Sequence, residues 1–234
     1  MTSEPFWRFD TAGNTTLLLN SRDALGKALA CIPAEQAGVL EGEELFMAGG
    51  EFCANACLAL AAWIDLANRQ AFQARIAGQK ISFGCTGALP AWHAWAEFDL
   101  SGWEVDRTGT WPIVHLPGIS HVLVECAEFP DPARIENMAS EIWGASLPGE
   151  IAARGIIWWK GSDILPFVHV PEAGTCNIEG ACGSGSIALA LAFGKGRHRI
   201  GQPSSEELVV EIKDHGVRLE GPVHLLAAGE LWLP

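Results

Sequence analysis

Apolar positions in this chain fall into many short alternating or β-branched runs, interrupted by Ala/Leu-rich stretches of a different character. The runs Leu17–Asn20, Arg75–Phe83, Ala94–Leu100, Ile113–Leu116, His121–Val124, Ile156–Trp159, Phe167–Val170, Leu208–Ile212, Val217–Glu220 and Val223–Ala227 predict strands. The apolar stretch Ala54–Leu66 and the run Ser186–Phe193 have high helix propensity. Further helices are expected over Arg22–Cys31 and within Asp131–Trp143. Pro117 and Gly118 punctuate the middle of the chain, so a linker is expected over Leu116–Ser120. The pattern predicts an α+β fold of two similar halves, 1–116 and 117–225, each with a helix, and a cleft between them.

Self-similarity supports the division. The segment Glu51-Phe-Cys53-Ala-Asn-Ala-Cys-Leu-Ala-Leu-Ala61 matches Gly180-Ala-Cys182-Gly-Ser-Gly-Ser-Ile-Ala-Leu-Ala190. With the cysteines aligned, Asn55 pairs with Ser184, Cys57 with Ser186 and Leu60 with Leu189. More than half the chain separates the copies, which is too long for a solenoid repeat and fits a duplicated domain. In each copy a cysteine precedes small residues and then a helix-forming run. Cys53 and Cys182 are therefore expected at, or just before, helix N-termini.

Composition narrows the classes. Of 234 residues, 49% are hydrophobic and 18% charged, as in a globular protein. The net charge of −13 argues against a nucleic-acid partner, which needs clustered Lys and Arg. Lys195, Arg197, His198 and Arg199 form one basic knot, expected on a solvated loop or helix end. Ala54–Leu66 is too short to span a bilayer, which takes roughly 20 apolar residues. Met1–Asp10 has no apolar signal segment, so the expected compartment is the cytoplasm. Seven cysteines in such a chain are candidates for chemistry rather than disulfides. Cys31, Cys85 and Cys126 read as small buried hydrophobes. The ten tryptophans read mainly as core, with one or two available to wall a pocket.

Two cysteines at helix N-termini define a chemistry. The positive end of a helix macrodipole is expected to lower a thiol pKa, and its unpaired N–H groups bind a carboxylate. If two such termini face each other, a free amino acid fits with one sulfur on each face of Cα. One sulfur, as thiolate, removes the α-proton while the other, as thiol, protonates the opposite face. Amides aimed at the carboxylate stabilise the enediolate-like charge. No pyridoxal phosphate is needed, and none of the five lysines accompanies a phosphate-binding signature. Cofactors and metals are absent from this reading, and its partner is a small amino acid.

The Cys53-x-Asn55 and Ala181-Cys182-Gly-Ser-Gly segments resemble the two catalytic signatures of diaminopimelate epimerases and their pyridoxal-independent racemase relatives. Phe9–Thr16, with Gly13 and Asn14, is similar to that family's N-terminal signature, and Gly118-Ile-Ser-His121 to its Gly-Asn-Pro-His. The resemblance implies two pseudo-symmetric domains, each a curved or barrel-like set of strands around a central helix, with the active site between them. It implies that the last strand, within 226–234, returns to the N-terminal domain. Cys53 and Cys182 become the base and acid pair. Amides near Ala54, Asn55, Gly183 and Ser184 would hold the α-carboxylate, Asn14 would line the pocket, and His121 falls on a motif position. Dimers are common in such a family, though no residue here demands one.

The departures bear on substrate. Met47 and Ile119 stand where asparagines would grip the far end of diaminopimelate, and Glu172-Ala-Gly lacks the arginine for a second carboxylate. Gly-Gly-Glu51-Phe-Cys53 looks more like the histidine racemases, some of which supply opine-type metallophore pathways. Histidine is then the expected substrate, with diaminopimelate or another amino acid as the alternative. Glu51 and Glu179 would meet a substrate ammonium or imidazole, or serve only as electrostatic helix caps. Two rival readings are a phenazine-type isomerase, which needs a carboxylate base in place of paired cysteines, and a non-enzymatic protein using its thiols as metal ligands, for which the spacings are poor.

Overall fold

The computed structural model describes residues 2–68, 73–147 and 153–233. Its strands are β1 (Thr2–Thr11), β2 (Asn14–Leu19), β3 (Gln36–Glu41), β4 (Glu44–Met47), β5 (Ala74–Ile76), β6 (Gln79–Ala88), β7 (Ala91–Asp99), β8 (Glu104–Asp106), β9 (Ile113–Leu116), β10 (Ile119–Glu125), β11 (Ala153–Lys160), β12 (Asp163–Val170), β13 (Thr175–Ile178), β14 (Gly196–Gly201), β15 (Glu207–Ile212) and β16 (Gly216–Leu233). The α-helices are α1 (Leu25–Cys31), α2 (Ala54–Leu66), α3 (Ile135–Ser146) and α4 (Gly183–Phe193). The class is α+β.

The strands form one hydrogen-bonded path rather than two sheets. It runs β1-β2-β3-β4-β5-β6-β7-β16-β15-β14-β12-β11-β10-β9-β8, with β13 beside β12. Because β1 also pairs with β16, from Thr2↔Leu233 to Thr11↔Val223, the first eight strands of the path close into a ring. The rest of the path stays open. Long β16 makes this possible: Gly216–His224 pairs with β7, Val217–Glu220 also pairs with β15, and from Val223 onward it pairs with β1. The return to β1 thus begins earlier than the resemblance implies.

The Ala/Leu runs explain the two long apolar helices. α2 is buried from Ala54 through Ile64 and packs on β1, β2, β3, β6, β7 and β16, all members of the ring. α4 is buried from Gly183 through Ala190 and packs on β9, β10, β11, β15 and β16. Neither helix has a polar face because neither has a solvated side. Each fully buried leucine such as Leu58, Leu60 or Leu189 contributes about 1.5–3 kcal/mol.

Several expectations are corrected. Pro117-Gly118 is the turn of a hairpin pairing Ile119 with Leu116, not a linker. Gly118, at φ +73, brings this turn so close to Gly50 and Glu51 that a Cβ would crowd their backbone, and Phe52 N–H donates to Pro117 O. The run Arg75–Phe83 splits at a turn over Ala77 and Gly78, both with positive φ. The basic knot is strand β14, its charges matched by Lys195–Asp214, Arg197–Glu220 and Arg199–Glu207 ion pairs. Cys31 is exposed, and Cys85 and Cys126 are only half-buried. Among the described residues, no helix is long and apolar enough to cross a membrane.

Candidate active site

Cys53 and Cys182 are the N-caps of α2 and α4, with nearly the same backbone: φ −122, ψ 104 and φ −132, ψ 103. The repeat persists in the hydrogen bonds. Each sulfur accepts the N–H three residues on, Ala56 for Cys53 at 3.4 Å and Gly185 for Cys182 at 3.3 Å. The aligned pair Cys57 and Ser186 both donate back to the cap carbonyl, at 3.3 and 2.7 Å.

Polar side chains fasten the two helix starts together. Asn55 Oδ1 accepts Gly183 N–H at 2.5 Å, and its Nδ2 reaches Thr11 O and Ala181 O at 3.4 Å. Asn14 Nδ2 donates to Ala181 O at 3.0 Å. Gln202 Oε1 accepts Cys182 N–H at 3.0 Å. The Glu35 carboxylate accepts Thr15 N–H at 2.8 Å and Gly180 N–H at 3.1 Å. The buried amides of Gly180, Cys182 and Gly183 therefore have partners, as a low-dielectric interior requires.

Both cysteines line one cavity, which opens to solvent at its mouth. Glu51, Asn55, Glu179 and Ser184 line it as well, while Asn14, Ala54, Gly183 and His121 are not among the lining residues. Beside Thr175 and Asn177, the polar lining also includes Glu35 and Gln36, absent from the sequence reading. Their signal is weak, because they sit at the start of β3 outside either motif. Ile119, Val168 and Val170 supply apolar walls, and no tryptophan is among the lining residues.

The electrostatics differ from the helix-dipole expectation. Burial pushes both thiols well above their ordinary pKa, and nearby Glu51 at Cys53 and Glu179 at Cys182 add to it. Desolvation outweighs the cap here because full burial penalises a thiolate more than one N–H bond helps it. Burial also raises Glu35 and Glu51. Glu179 is pushed to about 8 by burial, against a hydrogen bond from the Cys182 thiol and with Glu35 and Glu51 adding to the rise. Glu51 Oε2 is buried and makes no well-aligned hydrogen bond, although the Gly49 and Glu51 backbone N–H groups lie near the carboxylate, and no Lys, Arg or His is among the lining residues.

His121 is fully buried, and burial lowers its pKa to about 3. Its Nε2 lies 3.0 Å from Ser184 Oγ, which lies 3.5 Å from Cys182 Sγ. Gly155 is required beside it, since a Cβ there would collide with the ring. Among the described residues, no three His, Cys, Asp or Glu side chains gather as metal ligands.

Comparison with known proteins agrees with this architecture. The family model described as the histidine racemase CntK N-terminal domain matches residues 28–232. A histidine racemase of Fusobacterium nucleatum subsp. nucleatum is 24% identical over 262 residues, covering 97% of this chain and 96% of that protein. A probable proline racemase from Agrobacterium radiobacter K84 superposes with TM-score 0.66 at 9% identity, covering 99% of this chain and 93% of that one. A phenazine biosynthesis PhzF family protein of Enterococcus faecalis superposes with TM-score 0.62 at 15% identity, covering 99% and 100%. The fold is thus that shared by PhzF proteins and proline racemases. With the family model spanning most of its length, the chain belongs to the CntK histidine racemase family.

Proposed function

We propose that this chain is a cofactor-independent racemase that interconverts L- and D-histidine by moving the α-proton between Cys53 and Cys182. The observation that carries the reading is the single cavity lined by two helix-capping sulfurs and three carboxylates, with no basic side chain. The substrate α-carboxylate lies against the helix starts. Gly183 N–H is already given to Asn55, so the Ala54, Asn55 and Ser184 amides remain for the cradle. The ammonium and imidazole face Glu51, Glu35 and Glu179, and the unpartnered Glu51 Oε2 is the first acceptor available.

The step balances without another reactant. A thiolate on one face of Cα takes the proton and becomes a thiol. The electron pair left on Cα delocalises into the carboxylate, where the amides stabilise it. The thiol on the other face delivers its proton to Cα and becomes a thiolate. Configuration inverts, and the protein ends with the two cysteines' protonation exchanged. Burial of both sulfurs excludes water from this exchange.

Two intact cysteines favour this reading over a phenazine-type isomerase, which shares the fold. A second carboxylate, as in diaminopimelate, would meet three acidic groups and no cation. Histidine racemases of opine-type metallophore pathways share the motif pattern, and such a pathway is the proposed destination of D-histidine. The test is incubation with single L-amino acids in D₂O without added cofactor, followed by chiral chromatography and mass spectrometry. Deuterated D-histidine is expected. Inversion of diaminopimelate or proline in preference to histidine would overturn the substrate, and silence across all amino acids would overturn the reaction.

A further inference from the structure

The two cysteines differ in what their sulfurs face. Cys53 Sγ donates to Gln36 Oε1 at 2.7 Å. An amide oxygen is only an acceptor, so this contact suits a thiol and repels a thiolate. The orientation of that amide follows from a backbone group whose role is unambiguous. The carbonyl of Ala181 can only accept, so the Asn14 group bonded to it is Nδ2. Asn14 Oδ1 then faces Gln36, and the Gln36 group bonded to it at 2.8 Å is Nε2, which also donates to Thr16 Oγ1 at 2.8 Å. Gln36 is left with only its oxygen for Cys53. The relay runs from the residue preceding one cysteine to the sulfur of the other.

Cys182 lacks a locked neutral acceptor. Its sulfur faces the Gly185 N–H, the Ser184 hydroxyl and the Glu179 carboxylate. Ionised Glu179, the form it takes above about pH 8, can take the Cys182 proton, giving a thiolate and a carboxylic acid with no change in net charge. The titratable groups acting on Cys53 are Glu51 on its own lead-in, Cys57 on α2, and Glu179 on the segment before α4. Those acting at Cys182 are Glu179 itself and, on Glu179, Glu35 from the start of β3 and Glu51.

We propose that Gln36, oriented through Asn14 by the Ala181 carbonyl, is a positioning residue that holds Cys53 as the protonated member of the pair, leaving Cys182 as the resting proton acceptor. The inference rests on the two-thiol reading of the cavity, and its test does not require turnover. Site-resolved alkylation by iodoacetamide, followed by peptide mass spectrometry across a pH series, reports the thiolate fraction of each cysteine separately.

In the parent protein Cys182 is alkylated with a lower apparent pKa than Cys53. Gln36→Leu removes the acceptor, and Asn14→Ala frees the amide to present its N–H instead. Each lowers the Cys53 profile by about one pH unit, the tenfold effect of one hydrogen bond to the neutral form. The Cys182 profile, read in the same sample, stays in place and shows the pocket to be intact; if Gln36→Leu does not fold, Gln36→Asn retracts the amide to the same end. A Cys53 profile that stays put in these variants overturns the inference. So does a rise in rate at every pH without a shift, which is access alone, or a parent protein in which Cys53 titrates below Cys182. Racemisation by a Cys53→Ser variant would sink the two-thiol function while leaving these profiles unchanged, so the two failures are distinct.

Discussion

The side-chain oxygen of Asn55 accepts the backbone N–H of Gly183 at 2.5 Å, so the first turns of α2 and α4 are fastened to each other directly. A Cβ on Gly183 would collide with that oxygen and crowd Ala54, which shows how near the helix starts lie. The relative placing of the two sulfurs therefore depends in part on this amide.

Replacing that amide has a defined cost. Asn55→Leu leaves the buried Gly183 N–H without its acceptor and removes the donor to Thr11 O and Ala181 O. A loss of about 2–3 kcal/mol in urea denaturation is expected, with racemisation falling further than stability accounts for, because sub-ångström placement of both sulfurs is disturbed. Parent-like stability would show that the helix starts are held by other means.

Glu179 makes stability fall with rising pH. Its pKa is raised from 4.5 to about 8, so the folded protein holds this proton more tightly than the unfolded chain does. That contribution is complete below pH 4.5 and is lost as pH rises to about 8. Glu179→Gln, which has no proton to lose, should gain on the parent over that interval in denaturation at a series of pH values. A stability difference independent of pH would refute the assignment.

His121 stays neutral where the protein works. Burial takes its pKa to about 3, so its imidazole carbon resonance should not move between about pH 5 and 8, where an ordinary histidine titrates. A step near the usual value in its NMR titration would contradict the burial seen here. Any change of activity across that range then belongs to the thiols and carboxyls of the cavity or to the substrate imidazole, which itself titrates there.

Charge should govern which amino acids react. Like charges brought together without a counterion cost several kcal/mol, so once the cavity carboxyls are ionised, above about pH 8 for Glu179, kcat/KM for glutamate or diaminopimelate should lie about 100-fold or more below that for histidine. Glu51→Gln should raise the KM for histidine more than it lowers kcat, since Glu51 Oε2 is the acceptor left open. Comparable rates for acidic and basic substrates would remove the electrostatic argument.

Much of the scaffold was legible in the chain, for identifiable reasons. The Ala/Leu runs after Cys53 and Cys182 could only be helices without a solvated side, and their match placed both cysteines at the caps. The strand runs rich in Val, Ile and Trp were readable because one face of each is buried. Strands β1, β3, β4, β8, β13 and β14 were missed because they are short or carry charge, as β14 does with Arg197 and Arg199. Ring closure by β16 on β1 depends on a contact between the two ends of the chain, which no local pattern reveals. Glu35 and Gln36 were missed for the same reason. Glu35 reaches Gly180 across most of the sequence, and Gln36 meets Cys53 only because β3 passes the start of α2. The thiol pKa direction was misjudged because the helix dipole is local and visible, whereas desolvation is a property of the assembled interior.

The central claim is that the α-proton leaves one face of the substrate to one sulfur and returns to the other face from the second. The direct measurement is exchange of the α-hydrogen of L- and D-histidine in D₂O by Cys53→Ser and Cys182→Ser, each enantiomer followed by mass spectrometry and chiral chromatography. Neither variant should racemise, and each should exchange the α-hydrogen of only one enantiomer, a different one for each variant. Racemisation near the parent rate by either variant, or exchange of the same enantiomer by both, would contradict the account.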